Sequence, residues 1–175
     1  KEYAAAYTNV MRGQQNRGVT LSYSYIDAFS GAGVHVSKAT GEFVPGSPTN
    51  ALNVDPPFLE YFFIDLAGEK VDLLRKSVGD RTDVHVFTGD CNKILVSDIL
   101  PRIRYDQYKR ALCLLDPYGL HLNWKVLEMA GRSKAIDIFL NFPVMDINRN
   151  ALWKNPERVE QQGIDRMNAF WGDES

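Results

Sequence analysis

Tyr25-Ile26-Asp27-Ala28-Phe29-Ser30-Gly31-Ala32-Gly33 is a short, mostly apolar run that carries one aspartate and then breaks into a Gly-x-Gly turn. Such a run reads as a buried strand, and the glycines let a ligand approach the backbone. At the carboxyl end of a central parallel strand, that turn is where open α/β sheets hold a nucleotide-like ligand. Asp27, beside the turn, can bond the loop amides or a cationic part of the ligand. A dinucleotide fingerprint needs a third glycine, and Val36 stands in its place. The next strand-ending acid, Asp65, also lies further on than the roughly 20 residues a dinucleotide site expects. A strand followed by Gly-x-Gly is often only a tight connection, so the flanking chain decides.

That chain alternates. Residues 1–16 lack proline and place Tyr3, Tyr7, Val10 and Met11 at helical spacing, which predicts a helix covering one sheet face. Gly18 ends it, and Leu21–Phe29 is the first strand. Residues 34–46, rich in Gly, Thr, Ser and Pro, read as a loop or loose hairpin. Ser47-Pro48 starts a short helix, with Ser as N-cap and Pro at the first helical position, and Asp55-Pro56-Pro57 stops it. Phe58–Asp65, apolar almost throughout, is a second strand buried on both faces. A helix over 67–78, with Ala67, Val71, Leu74 and Val78 on one face, leads to a third strand at Val84–Thr88. A helix over 91–100 is closed by Pro101, and the fourth strand is Ala111–Leu115. A helix near 123–130 and a fifth strand near 135–141 complete the alternation. Beyond Pro143 the chain reads as irregular until a last helix near 157–171, with Val159, Met167, Phe170 and Trp171 facing inward. Strands separated by helices predict one α/β domain over residues 1–175, a three-layer sandwich around a mostly parallel, right-handed Rossmann-like sheet. The sixth and seventh strands usual for the methyltransferase version of that sheet are not evident before Ser175, so the sheet is shortened or the chain is a fragment.

Composition narrows the class. With a net charge of −2 and 24% charged residues, the chain is not a wholly electrostatic nucleic-acid binder, though a local basic patch stays open. No run has the length of a membrane span and no secretory signal opens the chain, so no membrane partner is expected. Cys91 and Cys113 sit in core-like surroundings, which points to reduced thiols and a cytoplasmic protein. His35, His85 and His121 are dispersed and form no ligand-spaced cluster with the cysteines. No metal site is expected.

Each of the first four strands ends in an acid or an acid-bearing turn: Asp27, Asp65, Asp90 and Asp116. A parallel sheet brings these ends to one edge. A single acid there is most often a helix N-cap or turn former, but four in succession suggest a site. Asp65 can accept two hydrogen bonds from adjacent ribose hydroxyls. Asp90 can accept one from an adenine amino group, with the Cys91 amide reaching a neighbouring ring nitrogen. The Gly31 and Gly33 turn, with Phe29, leaves room for a charged amino-acid tail.

This pattern resembles the class I S-adenosylmethionine (SAM)-dependent methyltransferases. Asp27–Gly33 looks like their first motif, Asp65 like their ribose-binding acid and Gly89-Asp90 like their adenine-side motif. Asp116-Pro117-Tyr118-Gly119 looks like their catalytic fourth motif. The combination of Tyr25–Gly33, Gly46-Ser47-Pro48, Phe63-Ile64-Asp65, Asp116–Gly119, Asn148-Arg149-Asn150 and Arg166–Ser175 resembles more narrowly the three-Cys-motif partner protein family, TcmP, over nearly the whole chain. The resemblance implies SAM as cofactor and, as partners, a nucleic-acid or nucleotide substrate and a three-Cys-motif protein.

Amino-group methyltransferases carry Asp/Asn/Ser-Pro-Pro-aromatic, in which the acid and a proline carbonyl accept from the target amine and the ring stacks on the base. Asp55-Pro56-Pro57-Phe58 spells this motif but precedes the second strand, at the edge opposite the ligand, and reads as a strand lead-in. Asp116, Pro117 and Tyr118 lie at the correct edge, with the aromatic one residue early. Arg102–Arg110 carries four basic residues and two tyrosines, a composition that could meet phosphates, but it enters a strand from the wrong edge. Asn148 and Arg149, following the fifth strand, are the better substrate contacts, and His121 is a candidate base or a plain surface residue. The expected function is methyl transfer to an amino nitrogen of a nucleobase. A catalytically silent partner protein and a nicotinamide-dependent oxidoreductase are the alternatives.

Overall fold

The computed structural model describes residues 1–37, 40–150 and 159–173, with side chains at all of these except 149 and 150. Five strands, β1 (Ser22–Asp27), β4 (Glu60–Asp65), β5 (Val84–Thr88), β6 (Lys109–Leu115) and β7 (Ile136–Leu140), form one sheet. Their order is β5-β4-β1-β6-β7 and every pairing is parallel. The central strand, β1, pairs with β4 on one side and β6 on the other, so the strand order reverses there. A separate antiparallel hairpin, β2 (Val34–Val36) with β3 (Phe43–Pro45), rises from the loop after β1.

Because successive strand residues face opposite ways, the sheet builds two different cores. Tyr23, Tyr25, Tyr61 and Phe63 meet α1 (Glu2–Asn16), α2 (Ser47–Leu52) and α3 (Gly68–Val78) in a largely aromatic layer. Phe58 is at its centre, with ring centroids of Tyr25, Tyr61, Tyr7 and Tyr23 at 5.3, 5.8, 5.9 and 6.2 Å. The other face presents Ile26, Phe62, Ile64, Cys113 and Leu115 to α4 (Cys91–Ile94), α5 (Trp124–Ser133), α6 (Val144–Asn150) and α7 (Gln161–Trp171), a mostly aliphatic layer. These are the three layers of a Rossmann-like sandwich. None of the described helices is long and apolar enough to cross a membrane.

Several local expectations change. Gly46, with extended backbone, is the N-cap of α2, and Ser47 is its first residue, with Pro48 close behind. The helix after Asp90 runs on past residue 100 but stays α-helical only over Cys91–Ile94. It widens into a π-turn at Leu95–Ile99, where the Leu100 amide reaches back to the Leu95 carbonyl, and then tightens into a 3₁₀ turn around Pro101. Where the sequence beyond Pro143 reads as irregular, α6 forms directly after that proline. Among its described side chains Ile147 alone is buried, too little apolar periodicity to mark a helix. In α1 the buried face is Ala4, Tyr7 and Thr8, while Tyr3 and Val10 are exposed. Trp171 is half exposed, not inward, and Val159 precedes α7 instead of lying on it.

Candidate functional site

The carboxyl ends of β1, β4, β5 and β6 open into a cleft of about 690 Å³. Phe29, Gly31, Asp65, Asp90, Cys91, Asp116 and Tyr118 line it, so most of the expected site residues come together. Asp27, Gly33, Pro117 and Asn148 do not. Asn148 is exposed on α6, and the Arg149 side chain is outside the described residues.

Asp27 lies beneath the cleft, fully buried. As the last residue of β1 it is flanked in register by Phe63 and Leu114. Its Oδ1 accepts from the Phe29 amide at 3.2 Å, and its Oδ2 has no hydrogen-bond partner. Burial pushes its pKa up to about 7. The Ser47 hydroxyl and Phe29 amide favour the charged form, while Asp116 and Asp65 oppose it. At neutral pH Asp27 therefore holds a proton for much of the time.

Asp65 has a different task. Its Oδ2 accepts from the Gly31 amide and its Oδ1 from the Ala67 amide, both at 2.8 Å. One carboxylate thus pins the glycine turn to the start of α3, and each oxygen keeps a second lone pair for a ligand. Gly31 needs its glycine for a φ of +63°. Ser30 fastens the same turn from the other side, its amide and hydroxyl donating to the Ile64 carbonyl at 2.9 and 3.1 Å. The Gly33 carbonyl accepts from the Gly46 amide at 2.8 Å and from the Thr49 hydroxyl at 2.5 Å. Gly33 therefore anchors the hairpin to α2, and a Cβ there would come within 3.0 Å of Leu74.

Asp90 caps α4, its Oδ1 accepting from the Asn92 amide at 2.9 Å. Asn92 then ties this cap to the opposite wall. Its Nδ2 donates to the His121 carbonyl at 2.9 Å, and its Oδ1 accepts from the Asn123 amide at 2.7 Å. The Cys91 thiol is pushed up to about 12, chiefly by burial and secondarily by Asp90, and the buried Cys113 thiol is raised in the same way. Neither is a nucleophile near neutral pH.

Asp116 follows β6, and its Oδ1 accepts from Asn141 Nδ2 at 2.7 Å. Gly119, at φ +69°, lets the turn pass Asp146, whose Oδ2 accepts from the Leu120 amide at 3.0 Å. A Cβ on Gly119 would come 2.5 Å from that oxygen. The turn holds Tyr118 out with 89% of its surface exposed. By contrast, Asp55-Pro56-Pro57-Phe58 lies at the amino end of β4, and Phe58 is sealed in the aromatic core. In the Arg102–Arg110 stretch the charges serve one another. Arg104 holds Asp106 at 2.6 and 3.1 Å, and Arg110 lies over the Tyr105 ring at 3.9 Å.

Sequence reasoning missed Asn92, Asn141, Asp146 and two cations lining the cleft, Lys70 and Arg166. Asn141 was within reach, being to the fifth strand what Asp116 is to the fourth. Asn92 and Asp146 act through tertiary hydrogen bonds that leave no local pattern. Among the described residues, no three His, Cys, Asp or Glu gather as metal ligands.

No protein-family model and no curated protein matches the chain. Among solved structures, a Legionella pneumophila protein of the DUF519 family superposes with a TM-score of 0.57 at 14% identity. The match spans 94% of this chain and 72% of that one. The chain is similar to that protein in fold.

Proposed function

We propose that the protein binds SAM in this cleft and catalyses methyl transfer to an amino nitrogen of a nucleobase. The observation that carries the reading is the set of acids at successive strand ends around one switch-point cleft: Asp65 and Asp90 beside the Gly31 turn, and Asp116 across it. Bound there, SAM would supply an electrophilic methyl group on a sulfonium. Asp65 has the spare lone pairs to accept from both ribose hydroxyls. Asp90 has an oxygen beyond its cap bond for the adenine amino group. Asp116 is oriented by Asn141 through one oxygen, and its second oxygen would accept from the target amine. That orients the nitrogen lone pair as the C–N bond forms and the S–C bond breaks, with the surplus amine proton leaving to solvent. Proximity and orientation do most of the work in such a displacement. The unpacked Tyr118 ring is free to lie on the acceptor base. TcmP membership, a cytoplasmic setting with both thiols reduced, and a three-Cys-motif protein partner belong to the same proposal.

One observation favours the silent-partner reading. Phe142, Val144, Met145 and Trp171 are all exposed on the chain that follows β7, with Phe142 and Trp171 ring centroids 5.5 Å apart. Exposed apolar residues gathered in this way suit a protein contact. Titration calorimetry separates the readings. Saturable binding of SAM and none of NAD is the expected result. Binding of NAD alone would replace the reading with an oxidoreductase, and binding of neither would favour the silent partner.

A further inference from the structure

Five arginines of this protein have partners. Arg75, Arg81, Arg104 and Arg132 pair with Asp72, Asp83, Asp106 and Glu128, and Arg110 lies on Tyr105. Arg166 is different. It lines the cleft with three carboxylates, Asp65, Asp90 and Asp116, yet makes no ion pair among the described residues. Its Nε is buried and has no acceptor. Burying that nitrogen without an acceptor is costly, and the two terminal nitrogens, the end of the guanidinium that an incoming ligand can reach, suit an oxyanion held through a pair of N–H groups.

The position says which ligand. Ala169, one turn along α7, and Asn123 line both this cleft and the furrow between α5 and α7. Arg166 therefore stands on the wall that α7 shares with the start of α5, where the Asp116–Asn123 segment leads. The Gly31 turn, Asp65 and Lys70 form the other wall.

We infer that Arg166 binds a phosphate of the methyl acceptor, so that the substrate is a nucleotide or nucleotide chain and not a free base or nucleoside. This rests on the methyl-transfer reading for the identity of the acceptor, while the anion site itself does not. Three carboxylates alone would repel a phosphate, and Arg166 is the group on the acceptor wall that offsets them.

The test is calorimetric titration of the whole chain with cytidine 5′-monophosphate and with cytidine, each with and without saturating S-adenosylhomocysteine. Cytidine keeps the probe from competing for the adenine end. The monophosphate should bind about tenfold or more tighter than the nucleoside, in keeping with a charge-assisted bidentate contact. Arg166→Met should erase that ratio, and Arg166→Lys should keep only part of it. Both should leave S-adenosylhomocysteine affinity within about twofold and the thermal midpoint within a few degrees. Equal binding of the two probes by the wild type would overturn the inference. So would loss of the phosphate preference once S-adenosylhomocysteine is bound, because Arg166 would then serve the cofactor's carboxylate. If S-adenosylhomocysteine fails to bind but the Arg166-dependent preference persists, the phosphate site stands and the methyl-transfer reading falls.

Discussion

Two Asp-Pro turns with an aromatic residue lie at opposite edges of the sheet. Asp55-Pro56-Pro57-Phe58 leads into β4 at the amino edge, and Asp116-Pro117-Tyr118-Gly119 leaves β6 at the carboxyl edge. Phe58 is 2% exposed and touches four other aromatic rings, whereas Tyr118 is 89% exposed and packs on none of the described rings. The first turn spells an amine-methylating motif more faithfully, yet its ring is part of the core. The second departs from the spelling but opens on the cleft. Chemistry follows the edge of the sheet, because only the carboxyl edge gathers loops from several strands around one space.

The comparison breaks most visibly at Phe58. Phe58→Ala should cost about 3–5 kcal/mol of stability, the range for emptying a buried aromatic site, read as a lowered chemical-denaturation midpoint. SAM affinity of the folded fraction should be unchanged. A loss of affinity at full folding would give the amino-edge turn a role in the site.

A second effect of similar size separates the acids of the carboxyl edge. Asp27 binds its proton more tightly when folded, about pH 7, than at its ordinary 3.8. The folded state therefore takes up a proton between those values, and stability is greatest below about pH 4 as far as this group is concerned. It falls as pH rises to about 7, by about 4 kcal/mol if the whole displacement is expressed. Asp27→Asn, neutral at every pH, should remove that slope and be the more stable protein at pH 8. Parallel pH–stability curves for the two proteins would show that the Asp27 carboxylate is solvated.

Asp116→Ala should slow single-turnover methyl transfer by about 10²-fold while leaving SAM affinity within about threefold, because the proposed partner of Asp116 is the acceptor amine. Asp65→Ala should do the reverse, weakening SAM binding by about 1.5–3 kcal/mol for each charge-assisted bond lost. If Asp116→Ala transfers as fast as wild type, both Asp-Pro turns are merely structural and the comparison loses its meaning. The smallest effect is expected at Tyr118, where Tyr118→Ala should change stability by less than about 0.5 kcal/mol. Acceptor binding would register the loss of a stacking surface.

The parallel sheet was legible because β1, β4 and β6 are buried on both faces and read as near-continuous apolar runs between helical stretches. The acids could be found the same way, one per strand end. What separates them is register. Asp27 is the last residue of the central strand, walled by β4 and β6, and is sealed. Asp90 and Asp116 lie one or two residues past their strands and are open. A local pattern cannot report that difference. The widening of the helix at Leu95–Ile99 likewise leaves no mark in the apolar spacing. Arg166 was out of reach because its environment is made by α5, α7 and the fourth-strand loop together.

The cross-bracing of the cleft has a dynamic consequence. The amides of Gly31, Ala67, Asn92, Asn123 and Leu120 are each held by a side chain (Asp65, Asp65, Asp90, Asn92 and Asp146) and not by a strand ladder. Such amides exchange with solvent through small local openings, whereas the ladder amides of β1 wait for far larger ones. Because Asn92 couples the α4 cap to the 121–123 segment, and Asp65 couples the glycine turn to α3, the openings are shared between loops. The rim of the cleft is thus braced in two parts, and a ligand bridging Asp65 and Asp90 would tie them into one.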